Sequence, residues 1–164
     1  MSDRRAHHPQ YAEAKSAAIR LLAQKARTRA YLTQRLRRKE LDAEAVDEAL
    51  SDLQRAGYVD DEQYARDRVD ALLRQSKRGA QALIHTLTQE GADRDLAERI
   101  VAEALSEHEP ADWALEAAGE RADRLRGLPP ETARRRLYGY LKRRGFGDAE
   151  IMRAVDEVLP ELDE

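Results

Sequence analysis

Pairs of leucines four residues apart recur along this chain, each followed by the same punctuation. Leu137 and Leu141 share one helical face, Lys142, Arg143 and Arg144 fill the last turn, and Gly145 supplies a left-handed stop. Phe146 is placed to fold back on that turn. Gly147 or Asp148 then caps a second helix that turns Ile151, Val155 and Leu159 inward. Nearly the same spacing stands 54 residues earlier, at Leu83, Leu87, Gly91, Ala92, Asp93, Ala97, Val101 and Leu105. It stands again 51 residues before that, at Leu32, Leu36, Glu40, Leu41, Asp42, Val46 and Leu50. In this first copy Glu40 occupies the glycine position, which predicts a less sharply turned junction, and the last apolar position falls one residue early, at Leu53. An amphipathic helix precedes each pair, over Ala14 to Leu22, Tyr64 to Leu73 and Trp113 to Leu125. A period of about 50 residues marks tandem helical modules. The pattern predicts an all-α chain of three three-helix repeats, about nine helices, stacked as an elongated, curved solenoid.

Local signals divide it further. Residues 1–8 read as a disordered arm, 9–59 as the first repeat, 60–108 as the second, and 109–164 as the third with an acidic tail. Pro9 opens a first helix carrying Tyr11, Ala14, Ala18, Ile19 and Leu22. Thr28 and Asp42 are placed as N-caps, and Gly57 closes the third helix. Asp60 caps the fourth, with Gln63 in capping-box position and Tyr58 and Val59 as a hydrophobic staple. Gly79 and Asp93 launch helices five and six, Glu109-Pro110 opens the last repeat, and Leu128-Pro129-Pro130-Glu131 separates helices seven and eight.

Composition fits thin helical layers. Charged residues make up 37%, and one Phe, one Trp and six Tyr are too few for a single thick core. With no Cys, disulfides, thiolate metal sites and cysteine nucleophiles are excluded. No apolar run approaches about 18 residues, so no membrane span is predicted. The first ten residues lack a hydrophobic signal segment, and cytoplasmic residence is the expectation.

The net charge of −3 hides strong alternation. Residues 1–41 hold 11 basic and 3 acidic side chains, net +8, and 42–63 hold 1 and 8, net −7. Residues 92–123 carry 3 and 10, net −7, while 124–145 carry 8 and 1, net +7; 146–164 return to −6 with 1 and 7. Arg outnumbers Lys 24 to 5, which suits bidentate grip on carboxylate or phosphate.

The joins and stops together resemble the bacterial RecX family of regulatory proteins. Gly57-Tyr58-Val59-Asp60-Asp61-Glu62-Gln63-Tyr64-Ala65 is similar to the join between its first two repeats. Gly79 to Ala92 resembles the middle repeat and Leu137 to Ile151 the third; Glu40-Leu41 departs from the Gly-apolar pattern. The resemblance implies a non-enzymatic monomer that binds the RecA–DNA filament and inhibits its extension, ATP hydrolysis and strand exchange. It implies no cofactor and no metal, and leaves direct DNA contact open.

Candidate partner-binding residues are the basic ones: Arg37, Arg38 and Lys39; Lys77 and Arg78; Arg134, Arg135 and Arg136; and Lys142, Arg143 and Arg144. Cations at a helix C-terminus are stabilising in any case, but two matching triplets in the outer repeats also suit recognition of an anionic groove. Tyr138 stands where it can stack on an unpaired base, or simply cover a core edge. Trp113 reads as core, and His85 and His108 as isolated surface residues. His7-His8 form a metal pair only superficially, without evident partners. Helix capping accounts for Asp60 and Asp61 without a pocket. No phosphate loop, nucleophile–base spacing or metal quartet is present. Two other function classes remain open, a general nucleic-acid-binding module and a protein-interaction scaffold.

Overall fold

Polar caps and left-handed stops cut the chain into helices. The computed structural model describes residues 7–159, and among these it forms nine α-helices, one 3-10 turn and no strand. They are α1 Tyr11–Gln24, α2 Arg29–Arg37, α3 Ala43–Arg55, α4 Asp61–Gln75 and α5 Ala80–Gln89. α6 is Arg94–Ala104, α7 Pro110–Ala122, α8 Pro130–Arg143 and α9 Asp148–Val158, with the 3-10 turn at Asp123–Leu125. The expected all-α class holds. The chain divides into two compact units: the first takes in residues up to Ala65 together with Gln89–Ala92, and the second takes in Arg66–Thr88 and the chain from Asp93 on.

In the first unit α1, α2 and α3 pack on one another around Ala14, Ala18, Leu32, Leu36, Val46, Leu50 and Leu53. Alanines on α1 let the helices approach closely. α1 begins at Tyr11 rather than Pro9, because Pro9 and Gln10 form a preceding turn closed by the Tyr11 N–H on the His8 carbonyl, 2.8 Å. Ile19, expected inward, is 46% exposed, since Ala17 and Ala18 hold the inner face. The staple before α4 is also halved: Val59 is buried in this core, whereas Tyr58 is exposed.

Each cap answers a named donor. Thr28 Oγ1 accepts from the Tyr31 N–H (3.2 Å) and donates to the Glu90 carbonyl (2.7 Å), so one buried hydroxyl closes the start of α2 and the end of α5. Asp42 accepts from the Glu44 N–H and Asp60 from the Gln63 N–H. Asp61 accepts from the Arg29 N–H at 2.8 Å, serving the first residue of α2 rather than its own helix. Burial raises the Asp61 carboxyl above its ordinary range.

The junction after α2 keeps a left-handed stop although Glu40 stands in the glycine position, with one more turn residue than the junction after α8. Glu40 adopts φ +60, its N–H bonds to the Arg37 carbonyl at 2.9 Å, and Leu41 turns back to burial. Glu40 itself is exposed, so the site demands a left-handed backbone but no close approach. A side chain there costs about 1–2 kcal/mol of strain. Glu40→Gly is therefore expected to stabilise the protein by about 0.5–1 kcal/mol, part of the relief being offset by glycine's unfolded-state entropy. Urea denaturation checks this; a destabilised variant would contradict it.

The second unit builds its main core from α7, α8 and α9 around Ala114, Ala118, Leu137, Leu141, Phe146, Ile151 and Val155. The stop after α8 forms as the sequence predicts. Gly145 has φ +84, the Phe146 N–H reaches back to the Leu141 carbonyl at 3.3 Å, and Phe146 is 1% exposed. Gly147 caps α9, with the Glu150 carboxylate accepting its N–H at 2.8 Å. This stop also meets the start of α5. The Gly79 N–H donates to the Arg144 carbonyl (2.8 Å) and the Gln81 N–H to the Gly145 carbonyl (3.3 Å). Free donors at one helix start thereby satisfy free acceptors at another helix end.

Candidate functional site

Helix α8 exists because Pro130 pre-sets its first turn and Ala133, Leu137 and Leu141 give it a buried stripe. The remaining positions of that helix are strongly basic, and the structure sorts them into two groups. Arg134 is held within the protein: it donates to the Leu159 carbonyl at 2.6 Å and pairs with Asp156, tying α8 to the end of α9. Lys142 pairs with Asp148 at 2.7 Å, and the Tyr138 hydroxyl donates to the same carboxylate at 2.6 Å. Lys142, then Tyr138, holds the Asp148 carboxyl below its ordinary range, and the Asp148 hydrogen bond raises both partners.

Arg135, Arg136 and Arg143 are the second group. With Arg121, Arg124, Leu125, Gly139 and Tyr140 they line a depression of about 430 Å³. Arg121 and Arg144 lie over the Tyr140 ring, their guanidinium carbons 5.3 and 5.2 Å from its centroid, within cation–π range. Gly139 sits one helical turn before Arg143, and a Cβ there would approach its Nη1 to 3.3 Å. Among the described residues no carboxylate forms an ion pair with any of these six arginines. Like charges gathered without counter-charge are unfavourable in the isolated protein and attract an external anion. Placement at helix ends explains Arg121, Arg143 and Arg144, but not Arg135 and Arg136 in the middle of α8. Arginine forks around an aromatic ring suit phosphate groups, and the Tyr138 hydroxyl is taken up by Asp148.

The other sequence candidates are placed differently. Arg37, Arg38 and Lys39 are exposed at the end of α2, and among the described residues none has an ion pair. Lys77 is engaged within the protein, bonded to Glu120 (2.5 Å) and near Glu116 (3.6 Å), and it lies 5.4 Å from the Trp113 ring centroid. The Glu120 hydrogen bond raises its pKa. Arg78 is half-buried; its carbonyl accepts the Trp113 indole N–H at 2.9 Å, while its own Nε is buried without a partner.

The histidines need correction. The expected arm falls outside the described residues up to residue 6, but His7 and His8 are held against the first unit. His7 Nδ1 lies 2.6 Å from Glu48, the His8 N–H donates to the same carboxylate, and the His7 ring stacks on Tyr11 at 4.0 Å. His8, Asp42 and Glu44 bring ligand atoms within 4.8 Å of one another. Asp42 already accepts the Glu44 N–H there, so capping accounts for its position. His85 is exposed as expected; His108 is exposed too, but stacks on Trp113 with centroids 4.1 Å apart. No helix among the described residues is long and apolar enough to cross a membrane.

Known proteins share this fold. Residues 14–61 match the first three-helix domain of RecX. The regulatory protein RecX of Thermobifida fusca is 37% identical over 151 residues, covering 91% of this chain and 80% of that relative. The RecX protein of Amycolatopsis mediterranei is 34% identical, covering 92% and 86%. The crystal structure of RecX from Lactobacillus salivarius superposes with a TM-score of 0.73 at 20% identity, over 91% of this chain and 96% of that one. Fold and surface define an all-helical protein with a strongly basic face on α8. The chain belongs to the RecX family of regulatory proteins.

Proposed function

We propose that this protein is a non-enzymatic regulator that binds the RecA–DNA filament and inhibits its extension, ATP hydrolysis and strand exchange. It does so through three three-helix repeats divided near residues 59 and 108. The observation that carries the proposal is the set of arginines around Tyr140 without internal counter-charges. In this reading Arg121, Arg124, Arg135, Arg136, Arg143 and Arg144 meet filament phosphate or carboxylate. The exposed Arg37, Arg38 and Lys39 supply a second basic contact. Lys77, Arg134 and Lys142 chiefly hold the protein's own helices.

The test compares binding to naked single-stranded DNA, naked duplex and RecA–DNA filament at two salt concentrations. The expected result is clear preference for the filament, with a salt dependence shallower than a purely phosphate-driven contact gives. Equal affinity for naked DNA and filament, with a steep salt slope, would instead make the protein a general nucleic-acid-binding module. No affinity for either would leave the scaffold reading.

A further inference from the structure

The second unit carries a concavity of opposite chemistry to the arginine face. It has a volume of about 390 Å³ and its walls include Ile84, Val101, Leu105, Trp113 and Phe146. That volume lies within the range of sites that take a ligand side chain or small molecule, about 300–1,000 Å³. The polar atom of Trp113 is already bonded to the Arg78 carbonyl, and its ring, with His108 stacked on it, forms part of the wall. Its lining residues include Glu98, Glu150 and His108, and no lysine or arginine. Glu150 is fixed by the Gly147 N–H, and Glu98 has an exposed pair with Arg94 that a partner's cation can replace. Both stand on helices with an acidic excess, α6 with 2 basic and 3 acidic side chains and α9 with 1 and 4. Nucleic acid is repelled by such a surface; an apolar side chain flanked by lysine or arginine is attracted.

The geometry points to a protein-docking site: the pocket takes an apolar side chain flanked by cationic residues on the recombinase subunit, separately from the arginine face that takes phosphate. This rests on the function proposed above. Charge complementarity selects the occupant, and the apolar wall supplies the anchor that a buried interface centre requires.

The experiment uses the full chain, DNA-free RecA protein and a labelled single-stranded oligonucleotide as probes. Ala102→Trp fills the mouth from an exposed position on α6, and Glu98→Lys reverses one exposed charge. Both are expected to keep wild-type helicity and melting temperature. Ala102→Trp should weaken recombinase binding at least tenfold and Glu98→Lys about threefold, with oligonucleotide affinity unreduced in both. Wild-type recombinase affinity in folded Ala102→Trp would overturn the proposal. So would a parallel loss of oligonucleotide binding, or dissolution of a wild-type dimer by Ala102→Trp, which would make a second copy the occupant. If the wild-type chain itself fails to bind recombinase, the functional reading falls and takes the named occupant with it. That outcome is distinct from a wild type that binds and a pocket variant that binds equally.

Discussion

Gly145→Ala is expected to cost about 2–5 kcal/mol, enough to remove a large share of the stability of a typical domain. Two independent penalties meet at this residue. At φ +84 an L side chain is strained, which costs about 1–2 kcal/mol. A Cβ would also collide with Ala82, falling 2.8 Å from its Cα and closer still to its backbone nitrogen. These are backbone atoms in the first turn of α5, which cannot rotate aside; overpacking of this kind adds about 1–3 kcal/mol. The junction it would pry apart also contains the Gly79–Arg144 and Gln81–Gly145 backbone hydrogen bonds. Gly57→Ala is the control. Gly57 has nearly the same φ, +80, but nothing lies within 4 Å of the place its methyl group would take, so only the strain of about 1–2 kcal/mol applies. Urea denaturation of the two variants separates the penalties. Equal losses would show that close approach to α5 contributes nothing.

That contrast explains a departure visible in the sequence. Gly91 and Gly145 end helices whose stops are packed against another helix start: a Cβ on Gly91 would lie 2.6 Å from Thr28 Oγ1 and 3.1 Å from Ala30 Cβ. Glu40 ends α2 at an exposed position and needs only the left-handed backbone. The repeat pattern therefore makes the helices, caps and stops legible, because leucine spacing, Asp42, Asp93 and the glycines each act within a few residues. It does not reveal which glycines are indispensable, because that depends on contacts such as Gly79 against Gly145, 66 positions apart. The same limit explains Ile19 and Tyr58. Each fits an apolar pattern locally, yet Ala17, Ala18 and Val59 already fill the places nearest the core.

The candidate site is legible in kind and only partly in membership. Runs of Arg on α8 single out Arg135, Arg136, Arg143 and Arg144 directly. Arg121 and Arg124 come from the end of α7 and the 3-10 turn, and no local signal sets them beside Tyr140. Their neighbourhood in the net +7 segment beginning at Arg124 is the nearest sequence hint (8 basic, 1 acidic over residues 124–145). Conversely, Lys77 and Arg134 look free in a linear reading because the carboxylates that hold them, Glu120 and Asp156, are 43 and 22 residues away. A charge run shows how much cation is available. Only packing shows how much is left over for a partner.

What is left over on α8 sets the expected size of a charge-reversal effect. Arg136→Glu combined with Arg143→Glu replaces two depression-lining guanidiniums with carboxylates, and neither residue has an internal ion pair to lose among the described residues. Helicity and melting temperature should stay near wild type, since both side chains leave the Leu137–Leu141 core stripe untouched. Filament binding should fall about 100-fold at low salt, with inhibition of RecA ATP hydrolysis and strand exchange weakened in step. Each lost phosphate contact lowers the salt slope by about 0.7–0.9, so two should flatten it by about 1.5 units. Raising salt on the wild type should reproduce part of the loss, because exposed charge is screened. Arg38→Glu with Lys39→Glu tests the exposed end of α2 in the same assay. Combining the two pairs should exceed either alone if both basic contacts engage one filament. Lys77→Gln provides the opposite control: its ammonium already bonds Glu120 and faces Trp113, so the change should lower stability slightly and leave the salt slope alone. Wild-type inhibition and an unchanged slope in the folded Arg136/Arg143 variant would remove the arginine face from the mechanism.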